Sequence, residues 1–132
     1  MQELTEKIIN MERSALDRWG KVDPAGYLEI TAPEVTYFDP FTNQRIDGLS
    51  AFKQYLAPIK GKIHIEHYDM INPQVRHYGD VAILTFNLVD VAREPDSDKI
   101  VTLRWNSTEI YCRIDGSWKI VHSHWSYTNP QT

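Results

Sequence analysis

The chain predicts an α+β fold in which N-terminal helices cover one face of a curved, mostly antiparallel sheet, and three observations carry that prediction. Apolar residues recur at helical spacing before Lys62 and alternate at the two-residue period of strands after it. The closing runs, Tyr111 to Ile114 and Trp118 to Ser126, are rich in β-branched and aromatic residues and flank an Asp115-Gly116 turn, the mark of a hairpin.

Leu4, Ile8, Met11, Ala15 and Trp19 fall on one face of a long first helix, which Gly20 ends. Asp23 before Pro24 is an N-cap followed by a proline at the first helical position, so a short second helix carries Tyr27, Leu28 and Ile30 and closes at Pro33. Val35 to Asp39 is a short strand stopped by Pro40, returning through Thr42-Asn43-Gln44 into Arg45-Ile46-Asp47-Gly48 as a small hairpin. Ser50 is read as the cap of a third helix bearing Phe52, Tyr55 and Leu56 and ending near Pro58 and Gly61. Four strands are expected next: Ile63 to Ile71; Gln74 to Tyr78 running past Gly79-Asp80 into Val81 to Arg93; Ile100 to Ile114; and Trp118 to Tyr127. The link from Glu94 through Pro95 and Asp96 to Asp98 is a solvated turn. The element order is thus α-α-β-β-α-β-β-β-β.

At 132 residues the chain is expected to form a single domain, residues 1–132, long enough to bury roughly two thirds of its unfolded surface. A net charge of -4 gives no electrostatic reason to bind nucleic acid or an anionic membrane surface. The start, Met1 to Lys7, lacks the cationic region and apolar run of a secretory signal, so a cytoplasmic location is expected. Cys112, the one cysteine, reads as a small buried hydrophobe. There is no Walker loop, Rossmann glycine fingerprint or nucleophile elbow, so no cofactor is expected and any chemistry would be cofactor-independent acid/base work of isomerase, cyclase or lyase type.

The last hairpin admits two registers. A two-residue loop would pair Glu109 with His122, and a three-residue Asp115-Gly116-Ser117 loop would pair Glu109 with Ser123. The apolar pattern does not choose between them. His122 and His124, two apart on one strand face, could hold a zinc ion, but no third ligand is evident.

Three segments carry a family resemblance: Thr31-Ala32-Pro33-Glu34-Val35-Thr36-Tyr37-Phe38-Asp39-Pro40 with Asp47-Gly48; Asn72-Pro73-Gln74-Val75; and the last hairpin with its Asp-Gly-x-Trp-Lys and His-x-His-x-Ser elements. With the element order, they make the chain resemble the nuclear-transport-factor-2-like superfamily of cone-shaped domains. The nearest likeness is to the association (hub) domain of calcium/calmodulin-dependent kinase II and to the SnoaL-like and ketosteroid-isomerase-like branches. The resemblance implies a pocket between the concave sheet face and the helices, and a homodimer or higher homo-oligomer formed through the outer sheet face. It also favours the three-residue loop, because the positions of Glu109 and Trp125 look into one pocket in association domains. Trp105, Ser107, Glu109, Tyr111, Val121, Ser123, Trp125 and Tyr127 are then expected on the concave face, and Arg104, Asn106, Thr108, Ile110, Ile120, His122 and His124 on the outer one.

Two carboxylates are the catalytic candidates. In ketosteroid-isomerase-like enzymes, the resemblance implies, an Asp before Pro at Asp39's position is the proton-shuttling base, and aromatic neighbours such as Tyr37 and Phe38 can raise its pKa. The family's oxyanion tyrosine falls at Ala15 and its second acid at Ile110, so donors often worth ~3 kcal/mol or more each are missing here. Glu109, mid-strand, needs a partner or a proton, and Lys53, at a polar pocket position of association domains, is the expected partner. Trp19, Tyr37, Lys53, Tyr55, Trp105, Ser107, Tyr111, Ser123 and Trp125 are expected to line the ligand site. Association domains carry arginines at the positions of Glu109 and Trp125; the acid and indole here point instead to a neutral or cationic, partly apolar small molecule. Two functions therefore stand: a small-molecule-binding domain with a pocket carboxylate, or a non-catalytic association module.

Overall fold

Ile8, Glu12, Ala15, Leu16 and Gly20 are the buried residues of α1 (Gln2–Gly20), one stripe at helical spacing that includes a carboxyl group. α2 (Ala25–Glu29) follows after a turn in which Asp23 Oδ1 accepts the Ala25 N–H at 3.0 Å, and Arg18 ties the two helices by ion pairs to Asp23 and Glu29, both at 2.9 Å. The computed structural model describes residues 2–59, 64–94 and 97–131. Its remaining elements are β1 (Thr31–Phe38), β2 (Ile46–Asp47), α3 (Leu49–Leu56) with a 3-10 turn to Ile59, β3 (His64–Tyr78), β4 (Val81–Arg93), β5 (Ile100–Ile114) and β6 (Ser117–Tyr127). The expected helix stop at Gly61, the strand start at Ile63, and Pro95 and Asp96 of the solvated turn lie outside the described residues.

The strands form one curved, mixed sheet in the order β2-β1-β6-β5-β4-β3, antiparallel except where β1 runs parallel to β6. The α+β cone expected from the sequence is the observed fold. Along β4, Ala82, Leu84, Phe86, Leu88 and Asp90 alternate inward onto the helices, and with Ile8, Leu16, Val35, Phe52, Leu56, Tyr111 and Ile120 they build the core. No helix among the described residues is long and apolar enough to cross a membrane.

Several local expectations are corrected. Gly79, at φ +60°, makes a tight turn with Asp80, so residues 64–78 are one strand and 81–93 another, Tyr78 pairing with Val81. Asn72, at positive φ beside Pro73, only kinks β3, which an edge strand tolerates. α3 starts at Leu49 behind Gly48, with no side-chain cap from Ser50. Cys112 is half-buried rather than buried.

The closing hairpin combines both sequence alternatives. Its loop is the two-residue one, Asp115 and Gly116 at φ 50° and 82° with Ile114 paired to Ser117, as in a type I′ turn. A β-bulge then shifts the register: Tyr111 pairs with Ile120 but Ile110 with His122, leaving Val121 as the extra residue, so Glu109 faces Ser123 after all. The same bulge reverses two facing assignments: Ile120 points into the core at 1% exposure rather than to the outer face, and Val121, expected on the concave face, lies half-buried on the outer one.

Candidate functional site

A cavity of about 310 Å³ opens between the concave sheet face and the helices, toward the C-terminal ends of β1 and β6. That volume lies at the small end of ligand sites. Trp19 from α1, Tyr27 from α2, Tyr37 and Asp39 from the end of β1, Phe52 and Tyr55 from α3, Leu88 and Asp90 from β4, Trp105 from β5, and Ser123, Trp125 and Tyr127 from β6 are in its wall. The rings are locked against one another: Trp105 stacks at a tilt on Tyr127 with centroids 4.6 Å apart, Trp125 meets Trp105 and Phe86 edge to face at 6.0 and 5.7 Å, and Tyr37 lies 4.6 Å from Phe52.

Asp39 sits where β1 breaks at Pro40, and its carboxylate is held by four donors. Tyr55 Oη donates at 2.7 Å and Tyr37 Oη at 2.9 Å to Oδ2, while the N–H groups of Phe41 and Thr42 reach Oδ1 at 2.8 and 3.1 Å. The backbone pair is the local turn that an Asp before Pro makes; the two phenols aim it along the cavity wall. Burial, reinforced by Asp39, pushes the Tyr37 phenol well above its ordinary range, so it stays a donor.

Behind the wall lies a second carboxyl group paired with a third. Glu109 and Glu12 are both fully buried. Glu12 accepts from Tyr27 Oη at 2.5 Å and Tyr111 Oη at 2.6 Å, and Glu109 accepts a short hydrogen bond from Ser123 Oγ. Burial raises the pKa of both, most for Glu109, where the negative charge of Glu12 adds to the effect. Burial and the closeness of two carboxyls favour the protonated form, more strongly in Glu109: phenol donors occupy both oxygens of Glu12, whereas Glu109 Oε2 has no hydrogen-bond partner among the described residues. Ser123 and Tyr27 join this pair to the cavity, since both hydroxyl-bearing residues are also in its wall. Trp125 Nε1 donates to Ser123 Oγ at 3.1 Å, continuing the chain of hydrogen bonds.

Of the residues expected from the sequence, Trp19, Tyr37, Asp39, Tyr55, Trp105, Ser123 and Trp125 come together around the cavity. Glu109, Tyr111 and Ser107 do not line it: all three are buried, Tyr111 as a donor to Glu12 and Ser107 without a hydrogen-bond partner for its hydroxyl. Lys53 is exposed, because Phe52 and Leu56 take the buried face of α3, and the expected Lys53 pairing with Glu109 is replaced by the Glu12 partnership. His122 Nδ1 lies 2.6 Å from Thr36 Oγ1, and both histidines pack on Phe38.

Two buried carboxyls escape the sequence reading. Glu12 falls on the apolar stripe of α1, four residues after Ile8, and a charge at a core position is itself a signal. Asp90 interrupts the inward alternation of β4 in the same way. It is 5% exposed, receives the Trp105 indole N–H at 2.9 Å on Oδ2, leaves Oδ1 without a partner, and has its pKa raised by burial, only partly offset by that indole.

Among known proteins, the sequence profile of the calcium/calmodulin dependent protein kinase II association domain matches residues 5–129. No sequence among the curated proteins matches this one significantly. A candidate ketosteroid isomerase from Parabacteroides distasonis is similar in structure with a TM-score of 0.77 and 37% identity over 95% of this chain and 88% of that one. The kinase II hub of S. rosetta shares the fold at a TM-score of 0.75 and 22% identity over 93% of this chain and 95% of that one. The association domain of the C. elegans kinase II does so at 0.76 and 20%, over 96% and 97%. With a profile match along nearly all of its length, the chain belongs to the calcium/calmodulin-dependent protein kinase II association-domain family.

Proposed function

We propose that this domain binds a small, partly apolar molecule in the cavity beneath its helices, with Asp39 the carboxylate that exchanges a proton with it. One observation carries the reading: the cavity is open, about 310 Å³, and walled by interlocked aromatic rings with a hydrogen-bonded carboxylate at its edge. The similarity to a candidate ketosteroid isomerase supports proton transfer as the chemistry. Glu12 and Glu109 act on the ligand only through Ser123 and Tyr27.

The test uses the chain's own reporters. Trp19, Trp105 and Trp125 are in the cavity wall and Trp118 is not. In a screen of fragments of mixed charge, a true ligand moves the first three indole N–H resonances and leaves the fourth, and Leu103→Trp, which fills the space, abolishes the response. Deuterium uptake from D₂O into the hits, lost in D39N, checks the proton transfer. A screen in which no fragment moves the cavity indoles overturns the reading.

A second reading, self-association, is favoured by the outer face of the sheet. Ile83, Ile110 and Val121 lie there only half-buried, Ile83 beside Ile110, and α1 and α3 pack on the opposite face. The similar S. rosetta hub and C. elegans association domain are named for assembly. Sedimentation of the purified chain over a concentration series separates a homo-oligomer from a monomer. Both readings can hold together, since they use opposite faces of the sheet.

A further inference from the structure

The charges around the cavity are one-sided. Asp39, Asp90 and Glu94 are in its wall, and among the described wall residues Arg93 is the one basic side chain. That guanidinium is already taken, bonded through Nε and Nη2 to Glu66 Oε1 at 2.9 and 2.6 Å. Among the described wall residues no other cation is left to receive an anionic ligand.

Asp90 supplies the second, independent observation. It is 95% covered, within a wall made of rings, and Oδ1 has no donor among the described residues. A buried carboxylate oxygen without a donor is costly, and a ligand that brings one relieves the cost. The ring systems next to it reinforce the choice: Trp105 is hydrogen-bonded to Asp90, Tyr127 is stacked on Trp105, and the Tyr127 phenol is pushed up by burial and by both Asp90 and Asp39. Electron-rich rings beside carboxylates attract a cation and disfavour an anion.

We propose that the cavity takes a protonated amine carrying an apolar body, its ammonium group donating to Asp90 Oδ1 among the rings of Trp105, Trp125 and Tyr127. This rests on the cavity being a ligand site and adds the charge of what fills it. The amine N–H supplies the missing donor, and the hydrocarbon body replaces water against the rings. Asp39 contributes its charge at the rim without giving up its own hydrogen bonds.

Three probes of one shape and different charge test it: 2-phenylethylammonium, 2-phenylethanol and phenylacetate, titrated against the intact protein while the indole resonances are followed. The ammonium should bind at least tenfold tighter than the alcohol, with phenylacetate weakest. D90N should erase the ammonium's advantage and leave the alcohol within about twofold. Should D90N fail to fold, the three-probe series on the parent protein still decides. Equal or tighter binding of phenylacetate or the alcohol, or an unchanged preference in D90N, overturns the proposal while leaving the cavity a ligand site. Silence of all three probes also overturns it, and the wider fragment screen then judges the cavity separately.

Discussion

Glu12 and Glu109 are buried side by side, and that has a pH signature. Both are raised above the ordinary glutamate value of 4.5, so between 4.5 and the folded pKa the native chain holds more protons than the unfolded one. Stability therefore falls as pH rises through that window, by about 1.4 kcal/mol per pH unit for each extra proton held. Asp90, also raised, adds a slope of the same sign. Glu109→Gln keeps an acceptor for Ser123 and removes the titrating group. Urea unfolding of both proteins from pH 5 to 8 should show the variant losing less stability with pH, so the difference between the two widens upward. Parallel curves would mean that Glu109 is not held protonated by its burial. Asp39 and Glu109 were visible in the sequence as carboxylates among aromatic residues, but their partners were not. Tyr55 reaches Asp39 from α3, and Glu12 reaches Glu109 from α1; such pairings depend on how helices sit on a sheet, which local spacing does not encode.

At the scale of elements, the last hairpin shows how a cross-strand pair can be right for a wrong reason. The pattern of β5 and β6 identifies the strands, and the Asp115-Gly116 pair identifies the turn, yet an extra residue can be absorbed in the loop or in a bulge at no cost to the apolar alternation. Here Val121 absorbs it, which keeps Ser123 opposite Glu109 and turns Ile120 inward. The turn itself needs positive φ at two successive residues. Gly116→Ala forces a Cβ into that region and should lower stability by roughly 1–2 kcal/mol. A Cβ at Gly116 meets no other atom within 4 Å, so the loss measured by urea unfolding is backbone strain alone, and an unchanged midpoint would refute the turn assignment.

For the whole molecule, two substitutions one strand face apart should behave differently. Ile110 is half-buried on the outer face, so I110D should lower the sedimenting mass of any oligomer while the fold and the cavity indole response persist. Ile120 is a core residue, so I120D buries a charge and should unfold the chain, at a cost of about 3 kcal/mol or more. Thermal melts beside sedimentation distinguish the two, and an I110D chain that melts like I120D would place Ile110 in the core. The α+β order was legible because periodicity reports which side of each element is dry; the inward cavity was expected only from the family resemblance. The outer face was legible only by subtraction.

The kinked edge strand β3 has a bearing on how copies of this chain can meet. Asn72 at positive φ, Pro73 beside it, and two breaks in its pairing with β4 interrupt the row of free N–H and C=O groups along that border. The opposite border is β2, two residues long. Both margins are thereby poor templates for another strand, which disfavours sideways growth into a continuous fibre-like sheet and leaves the faces of the sheet as the better surface for copies to meet.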